Sequence, residues 1–216
     1  DRVIDLFEKA GAIVDREEKI IRVGEDMVAE ALRTTPSTFT LTSRNPEKQL
    51  RFGDNSLVFG LVAGPPNVHD RINGRRQGNL PDYQNFVRLA HHFNAIHMLG
   101  NQVVAPVELS AESRHLDTYN ANISLSDLSF HCSAIGRERA LDGINMMAIS
   151  RGISVDEMRA SPGVTTIISV NSPRLFDDAM ADGLMAMAEY GQPVTVTPFT
   201  LMGAMTPVTL AAALCQ

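Results

Sequence analysis

His69, Asn101, Gln102, His131, Asn171, Ser172 and Phe199 share one feature of placement. Each stands within, at the end of or just past a short apolar, strand-like run. In parallel α/β folds, reacting and binding groups gather beyond the C-terminal ends of the strands. Their types are amide, hydroxyl, imidazole and aromatic ring. Such groups orient a small ligand by hydrogen bonds and by a π face rather than by covalent attack. The stretch SLVFGLVAGPPNVHD (56–70) presents the arrangement most openly. Its apolar run breaks at Gly64, which permits a tight turn, and Pro65-Pro66 stiffens the backbone ahead of Asn67, His69 and Asp70. Two readings of His69-Asp70 follow. The pair can act as acid and base, or Asp70 can cap a turn by accepting backbone N–H bonds.

Other chemistries find little support in the residue types. A Schiff-base mechanism needs a lysine at a strand end, and no lysine follows Lys48. Neither the GxSxG nucleophile elbow nor a glycine-rich phosphate loop occurs after the first strand-like run. His91 and His92 are neighbours on a helix-like segment and point in different directions, which suits capping or solvent better than a metal site. His131 alternates with apolar neighbours and faces either a cavity or the core. Arg75-Arg76, in NGRRQG, read as a hairpin tip, and Arg137-Glu138-Arg139 as surface pairs. Met146, Met147, Met180, Met185 and Met187 fall at helical spacing and read as packing residues.

The elements that must position these groups alternate from residue 56 onward. Strand-like runs occupy 56–62, 97–104, 129–135, 164–170 and 193–199. Helix-like periodicity fills about 80–94, 111–124, 136–150, 175–190 and 204–216. Crossovers of this length between near-continuous apolar strands predict a parallel sheet buried on both faces. Successive βα units predict a (β/α)8 TIM-type barrel, here truncated after about five units, over a doubly wound sheet. Residues 1–55 read as an α+β lead-in segment and 56–216 as the partial barrel. The lead-in comprises helices near 1–10 and 25–34, with strand-like AIVD, KIIRV and TFTLTSR. Both termini fall inside helical patterns, so we expect a fragment of a longer protein, one with an open sheet edge that associates with itself.

The 216 residues carry a formal charge of −6 with no dense cluster of basic residues, which disfavours nucleic acid as a partner. No apolar run is long enough for a membrane span. Cys132 and Cys215 form no motif and suggest a reducing, cytoplasmic setting.

Six segments give the chain a more specific likeness: RNPEKQLRFG, GPPNVHDRINGRRQG, RHLDTYN, GRERALDGINM, SVNSPRLFDDAM and YGQPVTVTPFTLMGAMTPVTLA. In this order they resemble the trimethylamine–corrinoid methyltransferase family along nearly the whole chain. The resemblance implies a (β/α)8 barrel after a short N-terminal segment. It implies an enzyme that moves a methyl group from trimethylamine, or from a quaternary amine such as glycine betaine, to the Co(I) of a separate corrinoid protein. No cofactor would be bound directly, since the partner carries the corrinoid. Full-length members are longer and some contain pyrrolysine in the part beyond this span; we expect a member without it, and a homo-oligomer when full-length. Co(I) attacks the methyl carbon in line and a quaternary ammonium departs as a neutral amine, so no acid is needed. The protein must bind a cation and exclude water. On that basis Phe199 becomes the cation–π candidate, and Asn171, Ser172, Asn101, Gln102 and His69 polar orienters, with His131 behind them. A non-catalytic betaine-binding barrel, or a barrel lyase or hydrolase using His69 or Asp70, are the alternatives.

Overall fold

The computed structural model describes residues 2–171, 174–199, 201–204 and 206–214. Two compact units divide the chain, residues 1–39 and 40–216. In the first, α1 (Arg2–Lys9) carries Asp5 in its first turn and Lys9 in its last, complementing the helix dipole. It leads through Gly11, at φ 96°, into the antiparallel pair β1 (Ile13–Asp15) and β2 (Ile20–Arg22). The Asp15 carboxylate accepts the N–H groups of Glu17 and Glu18 and so closes the turn between them. Arg16 pairs with Asp5 and Glu8. Helix α2 (Glu25–Thr34) ends where Pro36 forbids continuation.

The second unit opens with β3 (Phe39–Leu41), which begins at the unit boundary and pairs with β4 (Leu50–Phe52) across a 3₁₀ turn at Pro46–Lys48. A hairpin follows, β5 (Asn67–Asp70) and β6 (Gly74–Gln77), and then α3 (Leu80–His92). The helix starts at a capping box in which Asn79 and Asp82 satisfy each other's backbone N–H, with Pro81 in the first turn. Beyond it come α4 (Arg114–Leu125), β7 (Phe130–His131), α5 (Arg137–Arg151), α6 (Glu157–Ala160), β8 (Val164–Asn171), α7 (Asp178–Glu189), β9 (Val194–Phe199) and α8 (Leu210–Leu214). Gly152, at φ 67°, ends α5 in the left-handed conformation.

Strands β7, β8 and β9 form a parallel sheet in chain order. Parallel bridges extend the series in the other direction, from Phe130 to Leu99 and from Met98 to Gly60. Five segments thus lie side by side in the order of the sequence, each parallel to the last. The run expected at 56–62 makes a single bridge at Gly60 rather than a full strand.

The core lies between this parallel array and its helices. Tyr83 and Val87 of α3, Tyr119 of α4, Ile144 and Met147 of α5 and Met187 of α7 are buried against Leu99, Phe130, Cys132 and Val164. Close backbone approach is part of the design. A Cβ on Gly183 of α7 would fall 2.1 Å from the Ala134 carbonyl oxygen, and one on Gly100 would fall 1.9 Å from that of Leu61.

The β3–β4 pair covers the N-terminal ends of the parallel segments. Leu41 and Leu50 bury Met98. Thr42 N–H donates to the Pro162 carbonyl at 2.7 Å, and the Ser43 and Ser129 hydroxyls share a bond of 3.0 Å. Lys48 and Asn45 reach Asp127 at 2.6 and 3.1 Å.

Candidate functional site

Strand parity decides which side chains share a surface, because successive residues point to opposite faces. Phe130 and Cys132 are fully buried on the helix side, where Cys132 Sγ lies 3.6 Å from Met187 Sδ. His131, between them, therefore faces away from the helices. It pairs with Thr165, and the same face continues along β8 through Ile167, Ser169 and Asn171. Across the register it takes in Thr195, Thr197 and Phe199 of β9. This helix-free face of the sheet carries hydroxyls, an amide, an imidazole, an isoleucine and an aromatic ring, and no lysine, arginine or carboxylate.

Asn171 and Phe199 are direct partners at the C-terminal edge of that face. Phe199 is 47% exposed. His131 sits six residues lower along β8, or about 20 Å at the rise of a strand, close to the covered end. Its Nδ1 is buried without a hydrogen-bond partner among the described residues, and burial lowers its pKa to about 4. The imidazole is neutral at physiological pH.

Asn101 and Gln102 follow the Leu99 bridge. The Asn101 side-chain carbonyl accepts the Gln102 N–H at 2.8 Å, and the Gln102 carbonyl accepts the Gly64 N–H at 3.0 Å. Ala105 N–H donates to Pro65, and Gly78 N–H to Pro66. The Gly64-Pro65-Pro66 stretch is thus stitched to the strand end beside it. Ser172 lies outside the described residues.

His69 is set apart from the sheet's helix-free face. It belongs to β5, is exposed, and stands across from Arg75 of β6. Asp70 takes the turn-capping role: its Oδ1 accepts from the N–H of Ile72 at 2.8 Å and of Asn73 at 2.7 Å. The N–H and amide of Asn73, the Ile72 N–H and the Arg76 charge pull its pKa down to about 2. Such a carboxylate is a weak base. Arg137, which opens α5, pairs with Glu189 at 2.6 Å.

Several residues of this architecture were not singled out from sequence. Thr195 was marked by the alternation in VTVTPF, which puts it on the same face as Thr197 and Phe199. The spacing of His115 and Tyr119, one helical turn apart, signalled a shared face. Buried His115 meets Asp142 of α5 at 2.8 Å through Nε2 and packs edge-on against Tyr119. The Tyr119 hydroxyl accepts the Ser133 N–H and so holds the backbone just past β7.

A hydroxyl-lined face without lysine, arginine or carboxylate, with an aromatic ring at its C-terminal edge, is thus set in a parallel α/β scaffold. The chain belongs to the trimethylamine methyltransferase (MTTB) family, whose model matches residues 1–216. It is similar to a glycine betaine methyltransferase of Desulfitobacterium hafniense (strain Y51), with 32% identity over 98% of this chain and 43% of the relative. The trimethylamine methyltransferase MttB of D. hafniense (strain DSM 10664 / DCB-2) is 24% identical over 98% of the chain and 42% of its own length. A proline betaine:corrinoid methyltransferase of Eubacterium limosum is 21% identical over 100% of the chain and 45% of the relative. The chain spans less than half the length of these curated relatives. No helix among the described residues is long and apolar enough to cross a membrane.

Proposed function

We propose that this chain is part of a corrinoid-dependent methyltransferase that takes a methyl group from a quaternary amine and delivers it to the Co(I) of a separate cytoplasmic corrinoid protein. The observation that carries the reading is the family match along residues 1–216, joined to relatives named for betaine and trimethylamine methyl transfer. The relative with the highest of the three identities is named for glycine betaine, which favours a quaternary donor.

The geometry supports this reading through its electrostatics. A quaternary ammonium has no N–H to donate, so hydrogen bonds to its nitrogen are impossible. It is held by π faces and by the negative ends of dipoles. The helix-free face offers the exposed Phe199 ring and the Asn171 amide side by side, with hydroxyls of Ser169 and Thr197 below them. A cationic side chain there would repel the ligand, and β7–β9 contain none. The low pKa of His131 keeps that ring uncharged as well. In this reading Phe199 and Asn171 orient the N–CH3 bond, and Asn101 and Gln102 frame the same end. The amine leaves neutral, so no proton transfer is required of the chain.

For the scaffold we propose a (β/α)8 barrel. Its support is the unbroken parallel order from Gly60 to Phe199; a doubly wound sheet would reverse strand order at its switch point. The test uses the full-length protein with Co(I) corrinoid protein and a panel of methylated amines, following the cobalt absorbance. Methyl transfer from one quaternary amine is expected. Calorimetric binding of an amine without any transfer would favour the non-catalytic alternative.

A further inference from the structure

A cation stands where β8 leaves the proposed ligand face. Asn171, the register partner of Phe199, also bonds directly to Leu175. Its N–H donates to the Leu175 carbonyl at 3.0 Å, and its carbonyl accepts the Leu175 N–H at 2.7 Å. Arg174, the residue before Leu175, is thus set beside Asn171 at the C-terminal end of the strand. Its backbone is left-handed, with φ 65°. Glycine and asparagine adopt that conformation readily, and arginine does so at a cost. Strained positions of this kind cluster at ligand sites, where the surrounding structure holds them.

The rest of the described structure makes no use of the Arg174 charge. Five arginines follow β7 in the sequence, and no lysine does. Arg137 pairs with Glu189 and Arg159 with Asp156, while Arg139 donates to the Ala111 carbonyl and Arg151 to that of Ser161. Among the described residues no ion pair or side-chain hydrogen bond engages the fifth, Arg174. Asp177, the nearest acid in sequence, is occupied as the cap of α7, where its carboxylate accepts the Met180 N–H at 3.0 Å. Asp178 stands in the first turn of the same helix, where the dipole favours a negative charge.

Charge decides which ligand can sit next to such a group. A plain quaternary cation held against Phe199 and Asn171 is repelled by a guanidinium beside it. A donor with a carboxylate close to its ammonium reverses that sign. The guanidinium fork then pairs with the carboxylate in two-point geometry while the ammonium meets the aromatic ring. An arginine in this place favours a zwitterion and disfavours a simple cation, so it discriminates by repulsion as well as by attraction.

We infer that Arg174 is a specificity-determining residue that binds the carboxylate of a betaine-type donor, with the quaternary ammonium seated at Phe199 and Asn171. The inference rests on the quaternary-amine reading above and adds the group that selects the donor class.

The experiment measures binding to the full-length protein by titration calorimetry, with glycine betaine and with tetramethylammonium, which lacks the carboxylate. The variants are Arg174→Asn, which suits the left-handed backbone and removes the charge, and Arg174→Lys, which keeps the charge without the fork. Circular dichroism checks that each folds. In Arg174→Asn the Kd for glycine betaine should rise about tenfold or more, the size of a lost charge-assisted bond, while that for tetramethylammonium stays level or falls. Arg174→Lys should recover part of the betaine affinity. Betaine affinity equal in wild type and Arg174→Asn would overturn the inference, and is the result expected if an acid elsewhere in the full-length protein holds this guanidinium. An equal loss for both ligands would also overturn it, by showing a general disturbance of the site. Methyl transfer to Co(I) is followed separately. A wild type that binds betaine through Arg174 and transfers no methyl group would remove the methyltransferase reading and leave the carboxylate site in place. A wild type that binds neither ligand would remove both.

Discussion

Asn171 and Phe199 are register partners on adjacent parallel strands, and both point to the face of the sheet that the helices leave free. A carboxamide dipole and an aromatic ring are thus held at neighbouring positions by backbone hydrogen bonds rather than by a loop. This is the geometry on which the proposed ligand site depends.

The first prediction concerns that pair. Phe199→Ala in the full-length protein should weaken quaternary-amine binding roughly twofold to thirtyfold, the range of a cation–π contact of about 0.5–2 kcal/mol. Phe199→Tyr should retain most of the affinity. Titration calorimetry with the preferred donor reads both. Unchanged affinity in the alanine variant would remove Phe199 from the site.

The second concerns pH. His131 has its pKa lowered from 6.5 to about 4 by burial, so the unfolded chain binds its proton more readily than the folded one. Stability is unaffected by this group above about pH 6.5. It falls as the pH drops from there toward 4, by roughly 3 kcal/mol at most, since each pKa unit is worth about 1.4 kcal/mol. His131→Gln should flatten that part of the stability–pH profile, measured by urea unfolding of the full-length protein. An unchanged slope would contradict the burial of a neutral imidazole.

The third concerns the backbone just past β7. Tyr119 is 1% exposed and its hydroxyl accepts the Ser133 N–H. Tyr119→Phe leaves that buried N–H without a partner and should cost about 1–3 kcal/mol. The denaturation midpoint measures the loss, and a midpoint equal to wild type would show that the bond contributes nothing.

Packing of α7 supplies the fourth. Gly183→Ala would push a methyl group to 2.1 Å from the Ala134 carbonyl oxygen, in backbone that has no flexible side chain to yield. Destabilisation of at least about 1–3 kcal/mol is expected. Gly24→Ala, where nothing lies within 4 Å, meets no clash and should cost only the N-cap preference of α2, about 0.5–1 kcal/mol.

Much of this organisation was legible in the residues. Helices expected at about 80–94, 136–150 and 175–190 are found at 80–92, 137–151 and 178–189, and strands β8 and β9 follow from continuous β-branched runs. The run at 56–62 looked equally strand-like but is bridged only at Gly60, because ladder pairing depends on a neighbour that composition does not reveal. NVHD read as a strand-end lip and is instead half of a hairpin. NGRRQG carried the turn signal, while the pairing partner lay upstream in a stretch dominated by two prolines. Asp70 shows why spacing alone left its role open. The same His-Asp adjacency serves an acid/base pair or a capped turn, and only the N–H groups of Ile72 and Asn73 distinguish them. His115 and Asp142 were hidden for a simpler reason: they meet across two helices, 27 residues apart.

The central claim is methyl transfer to cobalt. The most direct measurement mixes the full-length protein with Co(I) corrinoid protein and glycine betaine, and follows conversion of the Co(I) absorbance to that of methyl-Co(III). The account predicts conversion that requires both the amine and the enzyme and leaves a demethylated amine as co-product. A Co(I) spectrum that persists with glycine betaine and with every other quaternary amine tested would contradict it.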